Sequence, residues 1–149
     1  MFIFALMILL HIIDDFVMQP VCLSKLKQKS WWENNVRPNV SDEEWHMYKE
    51  DYRMALIVHS VSWSIMVTLP FLLIAAREFL SNGYVFDHIP RDSATIVLII
   101  LNAIGHFMVD NAKANKKTMG LWEDQIIHFF QILTVFIVLS VMYFPAAGL

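Results

Sequence analysis

Histidine and aspartate recur three times at a spacing of four residues: His11 with Asp15, His106 with Asp110, and, in reversed order, Asp124 with His128. Residues i and i+4 share one helix face, one turn apart. Each pair stands in or at the edge of a long apolar run, where ionisable groups are costly and rare. His59 adds a fourth imidazole as the only ionisable residue of the apolar run 54–76. Imidazole nitrogen and carboxylate oxygen are good ligands for zinc, manganese or iron. The expected chemistry is a divalent-metal site, zinc or manganese, with His11, His59, His106 and His128 or a subset as ligands. Asp15, Asp110 and Asp124 are the carboxylates expected to act as bases or to fix the histidine tautomers. Gln19, Lys113 and Gln125 are the expected substrate contacts, Lys113 toward an anion such as phosphate.

Helices must position these groups, and the composition says in what medium. The 149-residue chain is 57% hydrophobic and 17% charged, with a mean hydropathy of +0.50. Its apolar residues lie in long runs, which predicts an all-α integral membrane protein, one domain over residues 1–149. Four spans are expected, at about 2–20, 54–76, 94–113 and 121–144, forming a four-helix transmembrane bundle. Pro20 is expected to end the first, Pro70 to kink the second, Ser93 to cap the third and Pro145 to stop the fourth. Residues 77–92 read as a short loop with Asn82-Gly83 as its turn. The N-terminus lacks basic residues and a small-residue cleavage site, so no cleavable signal is expected. The lone Cys22 excludes an intrachain disulfide and a multi-cysteine zinc motif.

Residues 21–53 form a polar connection in which Trp31, Trp32, Trp45, Tyr48 and Tyr52 alternate with charges. Aromatic rings with polar tips favour the headgroup layer, so this connection is expected to lie along the membrane surface. Ser41 and Glu44 make a capping box, from which a helix runs toward the next span. The net charge of −3 and the interspersed acids argue against nucleic acid as a partner. Membrane lipid is the expected partner, with a second copy or another membrane protein as a further one.

Of eleven basic residues, all but Arg77 and Arg91 lie in the 21–53 and 113–120 connections. The positive-inside rule puts those connections in the cytoplasm and both termini outside, in the cell (inner) membrane. All four helices then carry their ionisable residues to one leaflet. The reversed order in the last helix matches its opposite direction, giving a histidine layer with a carboxylate layer roughly 6 Å nearer the cytosol. Asp14 stands about 100° from Asp15 on an α-helix and is expected to face another helix or a partner subunit. His46 and His88 read as surface residues, and Glu123 as a helix-start acid.

The ordered set His11-x3-Asp15-Phe16-x2-Gln19, Lys25, His59, His106-x3-Asp110-x2-Lys113 and Asp124-Gln125-x2-His128 resembles the domain of unknown function 3307 family. Those are small bacterial and phage membrane proteins, and the resemblance covers nearly the whole chain. It implies the same helical fold and cluster; the 21–53 connection is longer and more aromatic than that pattern. A looser similarity links the cluster to membrane-bound metal-dependent hydrolases, which also carry His and Asp in hydrophobic helices. The expected function is therefore metal-dependent hydrolysis of lipid or lipid-linked substrates. Two alternatives stand beside it: a non-catalytic membrane adaptor, and an ion or proton transporter using the same groups as a relay. The relay lacks ionisable residues in the outer halves of the runs.

Overall fold

The structure, a computed structural model, describes residues 1–19, 21–83 and 88–145. Pro20, the expected stop of the first run, lies outside them. Among the described residues every regular element is helical. The first run forms α1 (Phe2–Ile12) and continues directly as a π-helical turn over Ile13–Met18. Three short helices follow in the connection: α2 (Val21–Leu26), α3 (Lys29–Asn35) and α4 (Asp42–Tyr48). The long helices are α5 (Asp51–Asn82), α6 (Ile89–Asn111) and α7 (Leu121–Tyr143). A second π-helical turn, Ala112–Lys116, extends α6.

Among the described residues, three stretches are long and apolar enough to cross a membrane: Asp42–Ser81, Ile89–Lys116 and Leu121–Tyr143. The first run falls short of that measure. Its 11 α-helical and 6 π-helical residues rise at most roughly 25 Å, against a hydrocarbon core of about 30 Å.

Several boundaries differ from expectation. Asp42–Ser81 is nearly one helix, with Lys49 and Glu50 making the turn between α4 and α5. The capping box at its start forms, Ser41 Oγ accepting from Glu44 N–H and the Glu44 carboxylate accepting from Ser41 N–H. α5 passes through Pro70 and ends at Gly83, whose φ of +69° suits glycine and strains other residues. The 77–92 loop is correspondingly shorter. α6 begins at Ile89 with Pro90 in its first turn, so Ser93 lies inside the helix rather than at its cap. Glu123 does start α7: its carboxylate accepts from Gly120 N–H at 2.6 Å.

The long helices pack α1 on α5, α5 on α6, and α6 on α7, with α7 closing back onto α1 and α5. Met7, Trp63, Val67, Phe71, Ile132, Val135, Leu139 and Tyr143 make the apolar core toward the far end of the bundle. Ser60, Ser64 and Thr68 repeat every four residues on α5 and are buried. Ser64 Oγ donates to Ile99 O and accepts from Asn102 Nδ2, which ties α5 to α6. Small hydroxyl-bearing side chains at this spacing let helices approach closely in apolar surroundings. Buried His, Asp, Lys, Ser and Thr share the interior with this apolar core, while Ile96, Ile100, Ile104 and Met108 of α6 and Phe130, Ile137 and Val141 of α7 face outward. An apolar exterior of this extent belongs in contact with another apolar phase.

Candidate metal centre

The π-helical turns set the site. Both helices that run toward the 21–53 end, α1 and α6, carry His-x3-Asp and then widen into a π turn. Such bulges in α-helices are frequent at functional sites. In the first turn both Asp14 and Asp15 reach the cluster, each within 4 Å of His59. Asp14 is 3% exposed and accepts from Ser62 Oγ at 3.0 Å on α5. It faces another helix, α5, as expected, and joins the cluster there beside His59. Lys117 closes the second turn in the left-handed conformation, φ +53°.

The three pairs close as their spacing requires. His11 Nδ1 lies 3.5 Å from Asp15, His106 Nε2 3.6 Å from Asp110, and His128 Nε2 3.3 Å from Asp124. His59 enters between them, its Nε2 3.4 Å from Asp15 Oδ1 and 3.5 Å from Asp110 Oδ2. Its Nδ1 faces Asp14 Oδ2 at 3.7 Å. Asp110 is the hub: Oδ1 stands 3.6 Å from both His106 and His128, and Oδ2 faces His59 and Lys27.

Two triads have ligand atoms mutually within 4.8 Å: Asp15, His59 and His106, and His106, Asp110 and His128. The second is buried throughout. Both nitrogens of His106 and Nε2 of His128 are buried without a hydrogen-bond partner. Their 3.6 Å separations from Asp110 Oδ1 exceed the 2.7–3.2 Å of an N–H···O bond. Ligand atoms arranged tetrahedrally at ~2.1 Å around a zinc ion are roughly 3.4 Å apart. The observed spacing is closer to that second figure, and the donor set is one that zinc or manganese accepts. The residues fit a divalent ion.

His11 stands outside both triads. Trp63 Nε1–H can only donate, and it lies 2.8 Å from His11 Nδ1. That nitrogen must accept, so a neutral His11 carries its proton on Nε2, 3.2 Å from Gln125 Oε1. Gln125 Nε2 then donates to Asp124 Oδ2 at 3.1 Å. Both His11 nitrogens are thus used by protein groups, and Gln125, expected to meet substrate, is spent on holding His11 and Asp124. Gln131 accepts from His128 Nδ1 at 2.9 Å, leaving Nε2 to face the carboxylates.

Residues that spacing did not single out complete the site. Lys27, expected on the membrane surface, is 9% exposed and reaches Asp110 Oδ2 at 2.7 Å. Asn115 fastens the segment that carries it, donating to Lys27 O and accepting from Lys29 N–H. Trp63, one turn beyond His59, stacks on His106 with centroids 4.1 Å apart, and His106 stacks on His128 at 4.3 Å. The His59/Trp63 spacing of four was the available signal. Lys113 pairs with Asp124 at 2.6 Å. Gln19 lines the small opening of about 70 Å³ above the cluster, with Asp15, His59 and Asp124. His46 is on an exposed face beside Lys49, and His88 lies 3.9 Å from Glu78 at the other end of the chain's bundle. No family model, curated protein or solved structure matches this chain, so its assignment rests on these residues.

Proposed function

We propose that the chain is a four-span protein of the cell (inner) membrane whose cluster holds one divalent ion and hydrolyses lipid or lipid-linked substrates. The first run serves as the fourth span by letting its polar end sit in the headgroup layer. The excess of Lys and Arg in the 21–53 and 113–120 connections supports a cytoplasmic position for the cluster and outer termini. The ordered His/Asp set supports kinship with the domain of unknown function 3307 family.

The observation that carries the reading is the pair of imidazole Nε2 atoms, of His106 and His128, that stand around Asp110 Oδ1 without a hydrogen-bond partner. Charge supports it. Four carboxylates, of Asp14, Asp15, Asp110 and Asp124, share the cluster with two ammonium groups, Lys27 on Asp110 and Lys113 on Asp124. With neutral histidines this leaves a formal −2 in a buried site, which a divalent cation cancels and which would otherwise be costly.

His106, Asp110 and His128 would hold the ion, zinc or manganese, which supplies Lewis acidity toward water or a phosphoryl oxygen. The chain's own groups divide the remaining work. Asp110 and Asp124 are already engaged by Lys27 and Lys113. Asp15 has a buried Oδ1 without a hydrogen-bond partner and lines the opening, so it is the carboxylate placed to take a proton from water. His59 Nε2 stands 3.4 Å from that oxygen. Trp63 and the apolar core below exclude water from the inner side.

The test is turnover. Protein reconstituted in liposomes of a bacterial lipid extract should release a hydrolysis product, detected by mass spectrometry, with zinc or manganese and not after chelation. Asp15→Asn should slow release on the order of 10²-fold while metal content stays. Equal release from Asp15→Asn and wild type, or release unaffected by chelation, would exclude this mechanism. An Asp110→Asn protein that folds normally, with neither form binding metal, would favour the structural adaptor.

A further inference from the structure

Above the cluster lies an open cleft of about 770 Å³ between the first π turn, α2 and the second π turn. Asp15 and Asp110 are at its floor, and four lysines line it: Lys25, Lys27, Lys113 and Lys117. Lys27 and Lys113 are paired with cluster carboxylates. Among the described residues, Lys25 and Lys117 have no carboxylate within ion-pair distance, and both are exposed. The cleft therefore offers two uncommitted ammonium groups over two committed ones, one of which, on Lys27, is nine-tenths buried.

The walls are built rather than incidental. Asn115 fastens the Lys27–Lys29 backbone to the end of α6. The left-handed Lys117 turns the chain at the end of that π turn, among the cleft's lining residues. Ser24 and Gln28 add hydrogen-bonding groups. One edge is apolar: Phe16 is 61% and Val21 74% exposed, and both line the cleft. Its volume falls in the range of small-molecule sites, about 300–1,000 Å³, larger than a bare phosphate requires.

We infer that this cleft binds the phosphate of a lipid phosphomonoester, its headgroup among the four lysines and its acyl part leaving past Phe16 and Val21. The inference deepens the hydrolase reading by naming its substrate class, but binding by the lysines needs neither metal nor turnover. An ammonium is a compact donor of three N–H groups, suited to a phosphate oxygen as a point charge. Placement beside Asp15 and Asp110 would bring the ester within reach of the cluster.

The test uses the full chain in phosphatidylcholine nanodiscs with chelator present, titrated with fluorescent phosphatidic acid. Wild type should bind saturably. Lys25→Gln with Lys117→Gly, the glycine keeping the left-handed backbone, should weaken binding roughly tenfold or more. Lys29→Gln with Lys116→Gln removes the same charge outside the cleft and should change affinity less than twofold. Equal losses in the two double variants would reduce the binding to attraction by a basic surface and overturn the inference. So would unchanged binding by the cleft variant, or displacement of the lipid by equimolar inorganic phosphate or glycerol 3-phosphate, which would identify a soluble ligand. Metal content, measured on the same samples without chelator, reports separately on the ion site.

Discussion

Lys27 places its ammonium 2.7 Å from Asp110 Oδ2, joining positions 83 residues apart, and both side chains are nearly out of contact with solvent. The connection between the first two long segments is thereby part of the site. Lys27→Met should lower thermal stability in micelles, by about 3 kcal/mol if the pair behaves as a buried one, since Asp110 then loses its nearest cation. Metal affinity should rise, because the ion no longer competes with an ammonium for Asp110. A melting curve measures the first effect and calorimetric titration with zinc after chelator removal the second, and weaker binding in Lys27→Met would contradict the competition.

His11 is held by Trp63 and Gln125, and the proposed ion site does not use it. His11→Ala should therefore keep wild-type metal content while losing about 1–3 kcal/mol of stability, the cost of leaving the Trp63 N–H without an acceptor and Gln125 Oε1 without a donor. Elemental analysis beside a melting curve separates these. A metal-free but well-folded His11→Ala would return His11 to the ligand set.

Gly105 makes room for Gln131. A Cβ at Gly105 would stand 2.7 Å from Gln131 Nε2, so Gly105→Ala must displace the amide that accepts from His128 Nδ1. Loss of such a supporting contact costs roughly 10–100-fold in metal affinity. Gln131→Ala should show a similar loss, and the double variant should be no worse than Gln131→Ala alone. Additive losses would mean that Gly105 matters for helix packing and not through Gln131.

Asp14 contributes charge to the cluster from the first π turn, facing α5. Asp14→Asn keeps an oxygen that can accept from Ser62 Oγ but removes one of four negative charges. Zinc affinity should fall about tenfold or more, with saturating stoichiometry unchanged. Unchanged affinity would place Asp14 in packing alone.

The His-x3-Asp pairs were readable because four-residue spacing fixes a shared face whatever the surroundings, and polar groups stand out in apolar runs. The helical class and the antiparallel match of Asp124/His128 followed from the same two facts. Other features were hidden for physical reasons. A π turn leaves no period in the sequence, so the two π-helical turns themselves were not legible. A lysine in a polar connection looks like an interfacial anchor until a fold such as the Asn115 clasp carries it inward, as happens to Lys27. Trp63 looks like core because its one polar atom matters only beside His11. The first run was read as a full span by counting to Pro20, whereas its described helix ends at Met18.

The central claim is that His106, Asp110 and His128 hold one divalent ion. Elemental analysis of the purified full chain in detergent, without added chelator, tests it most directly. About one zinc or manganese per chain is expected in wild type, close to none in a folded His106→Ala with His128→Ala protein, and a retained ion in His11→Ala. Wild-type protein without divalent metal after incubation with excess zinc and manganese, or equal metal in the double variant, would contradict the account.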